Sequence, residues 1–141
     1  MGDQSARAPY RQGAGPARPA PPKTARPRWS EARHYAALDL GTNNCRLLIA
    51  RPASHGFTVI DAFSRIVRLG EGLAATGRLS DAAIDRTIAA LSICADKLRR
   101  RNVTLARSVA TEACRRASNG AEFIERAYRE TGIALDVITA E

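Results

Sequence analysis

The sequence predicts an α/β domain, a mixed five-stranded sheet built in the order β-β-β-α-β-α-β and preceded by a disordered tail. Three observations predict it. Short apolar runs at Ala36–Leu40, Cys45–Ala50 and Phe57–Arg65 are separated by turn residues, the pattern of successive strands. From Ser80 to about Arg101 the apolar residues Ile84, Ile88, Leu91, Ala95 and Leu98 recur at alternating steps of four and three, which places them on one helical stripe. Residues 1–34 are instead rich in Ala, Pro, Arg and Gly, with Pro9, Pro16, Pro19, Pro21, Pro22 and Pro27 breaking every helical window.

The composition shift divides the chain into a tail, residues 1–34, and one folded unit, residues 35–141. The net charge of +8 is uneven: up to Tyr35, seven basic side chains face only Asp3 and Glu31, so +5 belongs there and +3 to the rest. The high isoelectric point therefore describes the tail, and it gives little support to a nucleic-acid partner for the folded part. Cys45, Cys94 and Cys114 have neither metal-ligand spacing nor a disulfide framework and read as reduced thiols, Cys45 and Cys94 lying on apolar segments as small hydrophobes. No apolar run is long enough for a membrane span and the N-terminus lacks a secretory apolar core, so no membrane partner is expected and the location expected is the cytoplasm.

The elements follow in order. Trp29 and Tyr35 mark where the tail meets the domain, and His34 reads as a linker residue. The first strand, Ala36–Leu40, runs through a tight polar turn into the second, Cys45–Ala50. Pro52-Ala53-Ser54-His55-Gly56 is a five-residue turn into the third, Phe57–Arg65, with His55 exposed on it. Leu69-Gly70-Glu71-Gly72-Leu73, followed by Gly77, reads as a loop too flexible for a helix, whose backbone passes close to a neighbour or a ligand. Ser80 caps the first helix, with Asp81 in its first turn and Lys97, Arg99, Arg100 and Arg101 in its last, as the helix dipole favours. Leu105–Ala110 is the fourth strand. Asn119 with Glu122 opens a second helix through Phe123, Ile124, Ala127 and Tyr128, Gly132 ends it, and Ile133–Ile138 is the fifth strand.

The turn after the first strand is the chemically informative segment. A buried strand delivers Asp39 into Gly41-Thr42-Asn43-Asn44, where Gly41 permits close backbone approach and the next three residues add short polar groups beside backbone N–H donors. An ionised Asp39 cannot donate to phosphate, so its useful partner is a divalent cation or the water on one. Metal plus phosphate is one reading. An ordinary hairpin, with Asp and Asn only satisfying the turn, is the other, and these residues alone leave both open.

Asp39-Leu40-Gly41-Thr42 at the end of a first strand in this element order resembles one half of the actin-like, ribonuclease H-like phosphotransferase superfamily. A narrower resemblance rests on Asp39 to Leu47 taken with Leu69-Gly70-Glu71-Gly72-Leu73 and Ala110-Thr111-Glu112-Ala113-Cys114-Arg115-Arg116-Ala117. These segments, in this order, resemble the N-terminal half of the exopolyphosphatase and guanosine pentaphosphate phosphatase (Ppx/GppA) family across residues 35–141.

The resemblance implies that Gly41, Thr42, Asn43 and Asn44 contact a terminal phosphate, that Asp39 organises Mg²⁺, and that Arg115 reaches the same phosphates. A planar, permanently charged guanidinium suits that role, though Arg115 also reads as a surface arginine beside Arg116. Asn44 stands where the family commonly has serine, and Arg46 matches the family pattern. The implied reaction is hydrolysis of the end phosphate of polyphosphate or of guanosine pentaphosphate. The family's catalytic glutamate is expected at or just beyond Glu141, and a second glycine-rich phosphate loop belongs to a second lobe. The chain is therefore expected to be an N-terminal lobe, incomplete as an enzyme, with the C-terminal lobe as a partner in cis or in trans and a homodimer through the exposed lobe face. The alternatives are a phosphate- or polyphosphate-binding module, half of a split enzyme, or another superfamily phosphotransferase such as a sugar kinase.

Overall fold

A computed structural model describes residues 33–139. The tail expected to be disordered over 1–34 lies outside the described residues save for its last two, as do Trp29 and Glu141.

The strands are β1 (His34–Leu40), β2 (Asn44–Ala53), β3 (Gly56–Ile66), β4 (Val103–Ala110) and β5 (Asp136–Val137), in sheet order β3-β2-β1-β4-β5. β1 pairs antiparallel with β2, setting Leu38 against Leu47 and Leu40 against Cys45, and parallel with β4, setting Leu40 against Ala110. This mixed sheet with its helices is the expected actin-like, ribonuclease H-like half-domain.

Several boundaries differ from the sequence reading. β1 starts at His34, not after it, because His34 already pairs with Val103 and its Nδ1–H donates to the Arg101 carbonyl at 2.5 Å. Pro52–Gly56 is not a five-residue turn: the ladder runs on to the Ala53–Gly56 pair, leaving Ser54 and His55 between the strands. Gly56 at φ 96° takes the reversal that an L residue resists. β5 keeps only Asp136 and Val137 of the expected Ile133–Ile138 strand, because Ile133 and Leu135 are drawn into the core.

The helices are α1 (Leu73–Thr76), α2 (Asp81–Arg100), α3 (Glu112–Arg116) and α4 (Gly120–Thr131). Ser80 Oγ accepts from the Ala83 N–H at 3.1 Å, so the expected cap of α2 is formed. Its stripe is buried through Ile84, Ile88, Leu91 and Ala95, with Leu98 half-buried, and each large aliphatic side chain there stabilises the fold by about 1.5–3 kcal/mol. The loop thought too flexible for a helix holds one turn, α1, because Gly72 and Gly77, at φ 76° and 71°, bracket it with left-handed stops. Asn119 takes the N-cap position of α4 with Glu122 in the first turn as expected, but its side chain does not cap: its amide is spent on the Leu79 backbone, accepting from the N–H at 2.8 Å and donating to the carbonyl at 3.0 Å. Gly132 ends α4 as expected, at φ 77°.

Leu38, Leu40, Cys45, Leu47, Ile49 and Ala110 are buried on the helix-covered face, whereas Ala37, Asp39, Arg46 and Leu48 on the opposite face are exposed. Among the described residues no helix is long and apolar enough to cross a membrane.

The edge strand β3 is tied to α2 by Asp61, which accepts from Lys97 Nζ at 3.2 and 3.3 Å and from Arg101 Nε at 3.4 Å. The Lys97 hydrogen bond, helped by the Ala62 N–H and Arg101, holds the Asp61 carboxyl below its usual range. A carboxyl depressed in the folded state stabilises the fold above its unfolded pKa of about 3.9 and loses that contribution as pH falls through the folded value. Asp61→Asn is expected to lower the melting temperature at neutral pH and to reduce its fall on acidification below about pH 4. Parallel melts of the two proteins check this; equal acid sensitivity would contradict it.

Candidate functional site

β1 holds Leu38 and Leu40 in the core, so Asp39 between them faces the open side of the sheet. The chain then leaves the sheet for three residues. Gly41 N–H donates to the Asn44 carbonyl at 2.9 Å, which closes the turn. The Asn43 carbonyl accepts from Val67 and Arg68 at 2.8 and 3.0 Å, and the Thr42 carbonyl from Gly70 at 3.0 Å. Three successive carbonyls of the loop are therefore occupied, while the N–H groups of Thr42 and Asn43 have no backbone partner among the described residues. Unengaged N–H groups on a fixed turn are what an anion needs.

The segment beneath the loop is itself clamped. Arg68 sits at φ 50°, and Arg86 from α2 donates to the Val67 carbonyl at 3.0 Å and the Arg68 carbonyl at 3.3 Å while pairing with Glu71 at 2.7 Å. Gly70 lies so close to Thr42 that a Cβ there would overlap the threonine methyl. The glycine loop thus makes the close backbone approach expected of it, to the first loop.

Asp39, Gly41, Thr42, Asn43, Asn44 and Arg46 together line one open cavity of about 260 Å³. Thr42 also lines a neighbouring cavity of about 370 Å³ with Gly70, Leu73, Ala74, Gly77 and Arg116. The link to α3 is set by the parallel register: Thr111 N–H donates to the Leu40 carbonyl at 3.1 Å, so α3 begins beside the end of β1. Arg115 is held by Glu112 at 2.5 Å and lines neither cavity, whereas Arg116 opens onto the second. Sequence reasoning singled out Arg115 and passed over Arg116; the glycines at 70 and 77, which shape that cavity, were the signal for it.

Asp39 is the only carboxylate lining the first cavity, and among the described residues no group of three or more His, Cys, Asp and Glu could hold a metal ion. That donor set does not form a protein cage. It fits Mg²⁺, which keeps several waters and is commonly held by one or two carboxylates together with substrate phosphates. Cys114 is buried, and that burial pushes its thiol up to about 12.

The profile of the Ppx/GppA phosphatase family matches residues 48–141, beginning just past the Asp39–Asn44 loop. Among solved structures, the Aquifex aeolicus member of that family is 38% identical and superposes with a TM-score of 0.74 over 77% of this chain and 36% of its own. An exopolyphosphatase-like protein is 33% identical, TM-score 0.72, over 78% of this chain and 34% of its own. An exopolyphosphatase from Cytophaga hutchinsonii is 27% identical, TM-score 0.71, over 75% and 34%. The chain thus spans about a third of the length of these solved relatives. A fold that superposes on theirs, and a profile match running from β2 onward, show that the chain belongs to the Ppx/GppA phosphatase family.

Proposed function

We propose that this chain supplies the phosphate-binding lobe of an exopolyphosphatase-type site acting on the terminal phosphoanhydride of polyphosphate or guanosine pentaphosphate. The observation that carries the reading is the gathering of Asp39, Gly41, Thr42, Asn43 and Asn44 in one cavity at the end of β1. In this reading the Thr42 and Asn43 N–H groups bind the oxygens of the end phosphate, with the Asn43 and Asn44 amides as further donors. Asp39 holds Mg²⁺, which when bound neutralises charge on the phosphoryl group. Arg116, and Arg115 once released from Glu112, bear on the next phosphates and offset charge that grows during transfer.

The water-activating glutamate, at or beyond Glu141, lies outside the described residues, and the partner that completes the site is a second lobe in cis or in trans. The reading places the protein in the cytoplasm. A binding module, or half of a split enzyme, is the second reading, favoured because among the described residues no carboxylate besides Asp39 lines the cavity, and this reading assigns Asp39 to Mg²⁺. Family membership sets aside a sugar kinase.

Calorimetric titration of the 141-residue chain with tripolyphosphate tests the reading. Binding that strengthens when Mg²⁺ is added is expected, and no binding in either condition overturns the phosphate site. Phosphate release from long-chain polyphosphate by the chain alone would overturn the claim that a second lobe is required.

A further inference from the structure

Cys45 and Cys94 form a cluster that the phosphate site does not use. Cys45 lies on β2 directly after the loop, Cys94 on α2, and both are fully buried with their Sγ atoms 4.0 Å apart. They are 49 residues apart in sequence and nothing in the composition pairs them. We infer that Cys45 and Cys94 are a redox-active dithiol that a peroxide oxidises to an intramolecular disulfide, with Cys114 left as a thiol.

The geometry allows it. A disulfide needs the sulfurs at about 2.05 Å, so they must approach by about 2 Å. Cys94 sits within a 20-residue helix fixed by the Ser80 cap and by the Lys97–Asp61 pair. Cys45 is the second residue of β2, paired with Leu40 on one side and Arg65 on the other, so closure requires the start of that strand to shift toward α2. Either thiol can donate across the 4.0 Å contact, and with Cys94 donating the Cys45 pKa is lowered, which makes Cys45 the better attacking sulfur. All three thiols are buried, so what sets Cys114 apart is that no second sulfur stands beside it among the described residues.

The chemistry balances in two steps. The Cys45 sulfur attacks one peroxide oxygen, the O–O bond breaks, and one water leaves to give a sulfenic acid. The Cys94 sulfur then attacks the sulfenic sulfur, the S–O bond breaks, the S–S bond forms and a second water leaves. Two electrons pass from the dithiol to the peroxide. Closure draws the start of β2 toward α2 and pulls on the Asn44 carbonyl that holds Gly41.

The test treats the reduced, folded chain with stoichiometric hydrogen peroxide, then counts thiols in denaturant and maps peptides by mass. Two of the three thiols should disappear, with a Cys45–Cys94 peptide found and dithiothreitol restoring all three. Cys114→Ala should still form the bond, and amide exchange at Gly41 should speed up in the oxidised protein. Three surviving thiols, or a bond that uses Cys114, overturns the inference in the wild-type chain, where no variant can be blamed for misfolding. A Cys45–Cys94 bond with unchanged exchange at Gly41 overturns the coupling to the loop.

Discussion

Replacing Gly120 with alanine is expected to lower the unfolding free energy by about 2–3 kcal/mol, the cost of a side chain forced into filled space. Gly120 is buried at the first position of α4, where any Cβ would overlap the Cys114 carbonyl oxygen of α3. On helix propensity alone alanine should gain up to about 1 kcal/mol over glycine. The overlap decides the sign, because the obstacle is backbone. The Cys114 peptide cannot turn aside: the Cys114 N–H bonds to Thr111, Ala117 N–H to Ala113 and Gly120 N–H to Ala117, each at 3.1 Å. Relief requires α3 and α4 to separate, which also carries Arg116 away from Thr42. Urea denaturation followed by circular dichroism reads the loss; a variant as stable as the parent would show that α3 moves freely.

Asp39→Asn is expected to weaken Mg²⁺-dependent binding of tripolyphosphate at least tenfold, about 1.4 kcal/mol, while binding without Mg²⁺ is unchanged or slightly tighter. The opposite signs follow from charge. A carboxylate helps a phosphate only through a cation and repels it otherwise, and asparagine keeps the shape while removing the charge. The exposed Asp39 makes no side-chain hydrogen bond or ion pair among the described residues, so the fold should melt at the parent temperature. Titrations with and without Mg²⁺ separate the outcomes: equal weakening in both would mean that Asp39 only shapes the turn.

Much of this was legible in the chain because it depends on local rules. The α2 stripe, its Ser80 cap, the glycine stop at Gly132 and the strand–turn–strand around Asp39 are set by residues within a few positions of one another. What the sequence did not disclose depends on partners far along it. His34 joins β1 because of Val103 and Arg101, and the Asn119 side chain, at the N-cap of α4, turns to Leu79, 40 residues away. β5 shortens because Ile133 and Leu135 gain more from the core than from the ladder. At the site, the residues of a single turn were singled out from their types and share one cavity, whereas Arg116 lies at the neighbouring one because the parallel β1–β4 register sets α3 beside that turn. The clamp by Arg86 carries no local signal, since it bonds backbone carbonyls 18 and 19 residues upstream.

The central claim is that the loop from Gly41 to Asn44, with Asp39, receives phosphate and its metal. Amide NMR of the ¹⁵N-labelled chain titrated with tripolyphosphate, first alone and then with Mg²⁺, tests it most directly. The account predicts that the largest shifts fall on Thr42 and Asn43, whose N–H groups are unengaged, and that Asp39 responds once Mg²⁺ is added. Shifts centred elsewhere on the domain, with the loop unmoved, would contradict it.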